Sequence, residues 1–426
     1  MLEGKKATTM NILFVFPYPP SRIRSRGYGF IQHLRQKHNV TILAQVETEQ
    51  ELKDAEALER QGYEIISVRE SRWRSMMHSG IALLSTYPLQ AAYARSARLL
   101  YQAKQLVASR HFDIVHVEHL RGMASMEVLV NECPIVWDAV DCISQLWQKA
   151  RDAKRDLKTT VIGALEQKRT QSYERRLLDK VSHVLAISEN DRQALAVLRD
   201  KYTDDMAYAC IDVVPNGVDL DYFTPTMEVY RPYSLVFSGK MSYHANIAAV
   251  HYLYQQIMPL IWKELPMATL TIVGSKPPKS IQALRSDTRI NVTGYVEDIR
   301  PYIRRAHVMI SPLIYSVGMQ NKVVEAMALG TASVISDQSA AALSVRSGYD
   351  TFVATDAQSF AEKAILLMTN SSLREAISVQ GRRYVEKQHN WWCITDRLVD
   401  IYRGVMTSKV HADLVPLETK VAPLLK

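Results

Sequence analysis

The run Gly318-Met319-Gln320-Asn321-Lys322-Val323-Val324-Glu325-Ala326-Met327-Ala328-Leu329-Gly330 carries the densest chemical content of the chain. It follows an apolar strand-like run and reads as a loop leading into a helix that closes on a second glycine. A helix start offers free amides and the positive end of its dipole, so such a loop suits an anion. Gly318 lets the backbone approach a ligand, the amides of Met319, Gln320 and Asn321 are candidates to cradle a diphosphate, and Lys322 adds a point charge. Glu325, one helical turn beyond Lys322, is a candidate acceptor of two hydrogen bonds from a ribose diol. On spacing alone, a plain helix with a solvated Glu325 stays equally open.

A second constellation lies near the N-terminus, where Arg22, Arg24 and Arg26 interleave with Gly27 and Gly29 at an expected helix start. Arg24 and Arg26, with Gly27, are candidates to clamp phosphates or an anionic acceptor, because the guanidinium fork matches phosphate oxygens in pairs. At least one of the arginines is expected to be merely solvated. His116, Glu118 and His119 alternate at a strand end and invite a metal reading, but no further ligand follows at suitable spacing. His116 is then either a substrate-facing hydrogen-bonding residue or a satisfied structural histidine. No metal site is expected.

The elements that must position these groups are short apolar runs alternating with helical patterns. The first series comprises Asn11–Phe16, a helix from about Gly29 to Lys37, Asn39–Ala44, Tyr63–Val68, Asp113–Glu118, Pro134–Trp137 and Val181–Ile187. A second begins at Leu235–Gly239 and continues through Thr269–Gly274, Ile290–Gly294, Val308–Ile310 and Ala332–Ser336. Such largely apolar runs belong to parallel sheets covered on both faces, so two doubly wound α/β domains are expected, with ligands at the carboxyl ends of the strands. The turn-rich stretch from Val213 to Pro232 separates the series. Beyond the second, Asn390–Tyr402 forms an aromatic helix start.

With 426 residues, 47% hydrophobic, the chain is long enough for two cores. Its four cysteines are scattered without metal or disulfide spacing. Nowhere do about 18 apolar residues run without a charge, as a membrane span requires, and the first apolar run stops at Pro17-Tyr18-Pro19-Pro20, so a cytoplasmic location is expected. The formal net charge of +8 draws the protein to anions, but no zinc-finger or aromatic RNA-binding signature is present, and nucleic acid is not an expected partner. Basic residues interleaved with Trp73, Met76, Met77, Ile81 and Leu83 leave two readings open: an interfacial segment at an acidic membrane on the inner face, or core helix with a solvated charged face.

Taken together, "VVPNGVDLDYFTP" from Val213, "FSGKMSYHANIAAV" from Phe237, "TIVGSKP" from Thr271, "VTGYVEDIRPY" from Val292 and "EAMALG" from Glu325 resemble, in order, the retaining GT-B glycosyltransferases of family 4, the group 1 type. "GMQNKVVEAMALG" with "FPYPPSRIRSRGYGF" looks most like the exopolysaccharide sugar transferase branch. The resemblance implies the GT-B fold, two Rossmann-like domains facing a cleft, and transfer of a sugar with retention of configuration. No cofactor or bound metal is implied, the nucleotide diphosphate sugar being a co-substrate, with a UDP-sugar first and a GDP-sugar next. The implied acceptor is a carbohydrate, a lipid-linked sugar or a small molecule.

By the same resemblance Gly239, Lys240 and Gly274 join the donor site, and Tyr295 and Val296 border the base. The expected division is a leader over 1–9, an acceptor-side domain over 10–215, a linker over 216–232, a donor domain over 233–388, a helix crossing back over 389–408, and a tail over 409–426. This chain also departs from the family. Val317 replaces the first of two paired glutamates, Lys240 replaces an arginine, and Ala245 replaces a lysine. The family's catalytic histidine is absent from Pro134–Asp141, where Asp141, with Asp138 in reserve, is the candidate to orient an acceptor hydroxyl. Asp141 reads equally as a helix N-cap. The missing glutamate and histidine keep open a catalytically silent GT-B protein that binds a nucleotide sugar or a partner transferase, and a nucleotide-sugar epimerase, another enzyme on this fold, is the other alternative.

Overall fold

The computed structural model describes residues 9–82, 85–130, 132–153, 157–200, 210–226, 230–314 and 319–413. Strand β1 (Asn11–Phe16) is followed by β2 (Asn39–Val46), β3 (Glu64–Arg69), β4 (Ile114–Glu118), β5 (Ile135–Val140), β6 (His183–Ala186) and β7 (Cys210–Val213). They form one parallel seven-stranded sheet in the order β3-β2-β1-β4-β5-β6-β7. Chain direction along the sheet reverses at β1, which lies between β2 and β4. Every residue of β4 is buried, whereas the edge strand β3 alternates between exposed and covered positions. The largely apolar central runs are thus the strands with helices on both faces.

A second parallel sheet holds β8 (Ser234–Ser238), β9 (Thr269–Val273), β10 (Ile290–Gly294), β11 (Val308–Ser311), β12 (Ser333–Ser336) and β13 (Phe352–Ala354), ordered β10-β9-β8-β11-β12-β13. Here the switch falls at β8, between β9 and β11. Two units result, one of residues 1–186, 192–214 and 395–426, the other of 187–191 and 215–394. The helix Trp391–Asp413 therefore begins with the second unit and, from Thr395, belongs to the first.

The first helix runs Ser25–Leu34 rather than from about Gly29 to Lys37. Arg26 and Gly27 consequently sit in its opening turn, not in the loop before it, because prolines 17, 19 and 20 end the strand early enough for a full turn to form. Strands β7 and β13 have no counterpart in the hydropathy pattern. β7 is interrupted by the charged Asp212, and β13 has only three residues, too few to show a periodicity. Among the described residues, no helix is long and apolar enough to cross a membrane.

Candidate functional site

In an open parallel sheet, ligands meet the carboxyl ends of the strands where the winding reverses. In the second unit that point is the end of β8. Gly239 follows it with φ 152°, and Gly274 follows β9 with φ 149°, a region an L side chain rarely occupies. The two loops touch so closely that a Cβ on Gly274 would lie 1.7 Å from the Gly239 carbonyl oxygen. Only glycine fits there.

Lys322 reaches this same place from the helix Asn321–Ala328. Its Nζ donates to Asn246 Oδ1 at 2.6 Å and lies 4.4 Å above the Phe237 ring, while Asn246 Nδ2 donates to the Lys240 carbonyl at 3.0 Å. A Cβ on Gly239 would approach Lys322 Nζ to 3.3 Å. The ammonium is therefore fixed beside a bare backbone loop at a helix start whose N-cap, Gln320, supplies no capping side chain. Burial pushes the Lys322 amine down and the Glu325 carboxyl up, each opposed by the charge of the other. Both are half-buried and so remain open to a ligand. Met319 is buried, Asn321 accepts from Asn216 Nδ2 at 3.0 Å, and Lys240 is exposed. Tyr295 is 76% exposed beside half-buried Val296, just past β10. Val317 and Gly318 lie outside the described residues.

In the first unit, the ends of β1, β4 and β5 carry a buried ionic cluster. Arg26 donates from Nε to Asp138 Oδ2 at 2.6 Å and from Nη2 to Asp138 Oδ1 at 2.8 Å, and its Nη1 donates to the Val214 carbonyl at 2.8 Å. His116 is wholly buried, with Nε2 3.4 Å from Asp138 Oδ2 and Nδ1 2.7 Å from the Tyr402 hydroxyl. Arg26, Asp138 and His116 thus form an internal strut joining the first helix, two strands and the last helix. Arg24 pairs with Glu51 at 2.7 Å and lies over Tyr18, while Arg22 is exposed. A Cβ on Gly27 would come within 2.7 Å of Glu118 Oε2.

Glu118 is buried and its Oε2 has no hydrogen-bond partner among the described residues. Burial first, then the charge of Asp138, pushes its carboxyl up to about 8, so it is largely protonated at neutral pH. The backbone is strained at the same strand ends, His119 having φ 63° and β-branched Val140 φ 64°, a conformation that costs about 1–3 kcal/mol per residue. The next helix, Ile143–Ala153, starts two residues past Asp141. Glu174 holds its start, accepting from Ile143 N at 2.8 Å and Ser144 N at 3.3 Å. Among the described residues, no three His, Cys, Asp or Glu side chains converge as metal ligands.

Residues 232–370, which contain β8 to β13 with Gly239, Gly274, Lys322 and Glu325, match the family model described as glycosyl transferases group 1. The second unit thus carries a segment that matches the group 1 glycosyl transferases. It is 27% identical over 209 residues to a phosphatidyl-myo-inositol mannosyltransferase of Mycobacterium tuberculosis, a match covering 46% of this chain and 54% of the relative. The match thus spans about half the length of that curated relative. Among solved structures it resembles HepE of Anabaena in complex with UDP, with a TM-score of 0.65 and 13% identity over 93% of this chain and 100% of that one. Sucrose-phosphate synthase of Thermosynechococcus elongatus gives a TM-score of 0.64 at 15% identity, again over 93% of this chain and 100% of that one. These likenesses establish the GT-B fold of this chain, two Rossmann-like parallel-sheet domains.

Several of these contacts escaped sequence reasoning. Asn246, which fixes Lys322, neighbours the buried Ala245 that attracts attention only as a replaced lysine. Glu118 carried a usable signal, since strand alternation puts it on the same face as His116. Tyr402 carried none.

Proposed function

We propose that the protein moves a sugar from a nucleotide diphosphate donor, a UDP-sugar before a GDP-sugar, onto a lipid-linked or other carbohydrate acceptor in exopolysaccharide or cell-envelope glycan synthesis. The observation that carries this reading is Lys322, held by Asn246 beside Gly239 at the helix start, with Glu325 one turn on. The donor diphosphate lies along the Gly239 loop and the amides of Met319, Gln320 and Asn321, Lys322 neutralises its growing charge, and Glu325 accepts from the ribose hydroxyls. The acceptor hydroxyl attacks the anomeric carbon from the side of the departing diphosphate, so configuration is retained. The bond from carbon to phosphate oxygen breaks as the glycosidic bond forms, and the hydroxyl proton passes to the leaving phosphate. Positioning and charge stabilisation supply most of the rate, with Lys322 in the place of a cation. The name of the mycobacterial relative, a mannosyltransferase of a phosphoinositide, supports a glycolipid acceptor, and the UDP held by HepE supports the donor class.

Product analysis tests this. Incubated with UDP-glucose or a GDP-sugar and a membrane glycolipid extract, the protein is expected to yield a glycosylated lipid and nucleoside diphosphate in equal amounts, and to leave the donor's sugar unchanged when no acceptor is added. An epimerised sugar from donor alone, or no turnover with any donor and acceptor, overturns the reading.

A further inference from the structure

Two helix starts meet at the Gly239 loop, and both defy local preference in the same sense. The helix His244–Tyr252 has no acid in its first turn, and its third residue is Asn246. The helix Asn321–Ala328 has none either, and its second residue is Lys322. The dipole at a helix N-terminus favours a carboxylate and opposes a cation, so local structure alone would place an acid at position 246 and keep lysine away from 322. A local rule broken twice at one place points to a ligand rather than to the fold.

Asn246 is 6% exposed, and both ends of its amide are committed. Oδ1 accepts from Lys322 Nζ at 2.6 Å, and Nδ2 donates to the Lys240 carbonyl at 3.0 Å. The orientation of the amide is forced, because an ammonium only donates and a carbonyl only accepts. The loop has no slack beside it, since a Cβ on Gly239 would lie 2.8 Å from Asn246 Nδ2. Among the described residues no carboxylate pairs with Lys322. The groups that hold it, the Asn246 amide and the Phe237 ring, are neutral, and Glu325 acts on it from one helical turn away.

We infer that Asn246 is a positioning residue of the donor site, whose neutral amide holds Lys322 against the loop and reserves the ammonium's charge for the donor diphosphate. The inference deepens the transferase reading and rests on its donor site. An aspartate at 246 has the same shape, but it would pair with Lys322 and set its second oxygen against the Lys240 carbonyl, one acceptor facing another. The isosteric replacement is therefore worse for an anionic ligand than truncation.

The test is the affinity of four full-length variants for UDP, GDP and ADP, obtained from the rise in melting midpoint with ligand, each variant being read against its own ligand-free midpoint. Asn246→Asp is expected to lose at least about tenfold in affinity for the diphosphate that wild type binds. Asn246→Ala loses only about threefold, the cost of ordering a lysine no longer held in place. Asn246→Ala combined with Lys322→Ala binds within about twofold of Lys322→Ala alone, because Asn246 acts through the lysine. A merely structural Asn246 gives the opposite order, with Asn246→Asp close to wild type, and that result overturns the inference. So does a loss on Asn246→Ala that is equally large with and without Lys322. In either case a wild type that binds the diphosphate leaves the donor-site reading standing, whereas a wild type unmoved by all three nucleotides overturns both.

Discussion

Asp138→Ala is expected to lower the stability of the first unit by about 3–5 kcal/mol, a fall in melting midpoint on the order of 10 °C by circular dichroism or calorimetry. The carboxylate is fully buried and takes two hydrogen bonds from Arg26, itself 5% exposed. Removing it strands a guanidinium where water does not reach, and the contact with His116 Nε2 goes as well. Replacing both members, Arg26→Met with Asp138→Leu, should recover much of the loss, because the penalty belongs to the orphaned charge rather than to the missing attraction.

The pair also predicts an acid limb. Burial alone would raise the Asp138 carboxyl, but the charge and hydrogen bonds of Arg26 and His116 outweigh it and hold the group at about 2, below its ordinary 3.8. A depressed carboxylate contributes its stability in full above the unfolded value and loses it as pH falls toward the folded one. Wild type should therefore lose this contribution between about pH 4 and pH 2, and Asp138→Ala should lack that part of the slope. A midpoint within about 2 °C of wild type at neutral pH would contradict the strut.

Lys322→Ala is expected to cut turnover at saturating donor by about 100- to 1000-fold, equivalent to roughly 2.7–4 kcal/mol of barrier. The folded protein should otherwise be intact, since Lys322 is half-buried and its removal leaves Asn246 still bonded to the Lys240 carbonyl. The reason for so large an effect is preorganisation. Asn246 and the Phe237 ring hold the ammonium in place before any ligand arrives, so no side-chain reordering is needed when charge develops on the leaving diphosphate. Steady-state rates at several donor concentrations check this, and unchanged turnover would remove Lys322 from the mechanism.

Much of the fold was legible because a buried parallel strand is a mostly apolar run. β1, β4, β8, β9 and β11 read directly from hydropathy, whereas β7 is broken by Asp212 and the three residues of β13 are too few to carry a pattern. The legible part of the candidate site was local. Lys322 and Glu325 are one helical turn apart, and a glycine before a helix announces a ligand loop. What was not legible is contact between distant segments. Arg26 and Asp138 are 112 residues apart, and His116 and Tyr402 286 apart, so the arginine expected to meet a ligand phosphate could not be seen to be paired inside the protein. Glu174 was hidden in another way, because its carboxylate holds the start of a helix that begins 31 residues earlier.

The central claim, that the second unit holds a nucleoside diphosphate at the Gly239 loop and the Asn321–Ala328 helix start, is tested most directly by following the melting midpoint while UDP is added. A ligand bound only by the folded protein stabilises it in proportion to ln(1 + [UDP]/Kd). The account predicts a midpoint that climbs steadily with UDP in wild type and stays flat in Glu325→Ala, whereas a wild-type midpoint unmoved by UDP, GDP or ADP would contradict it.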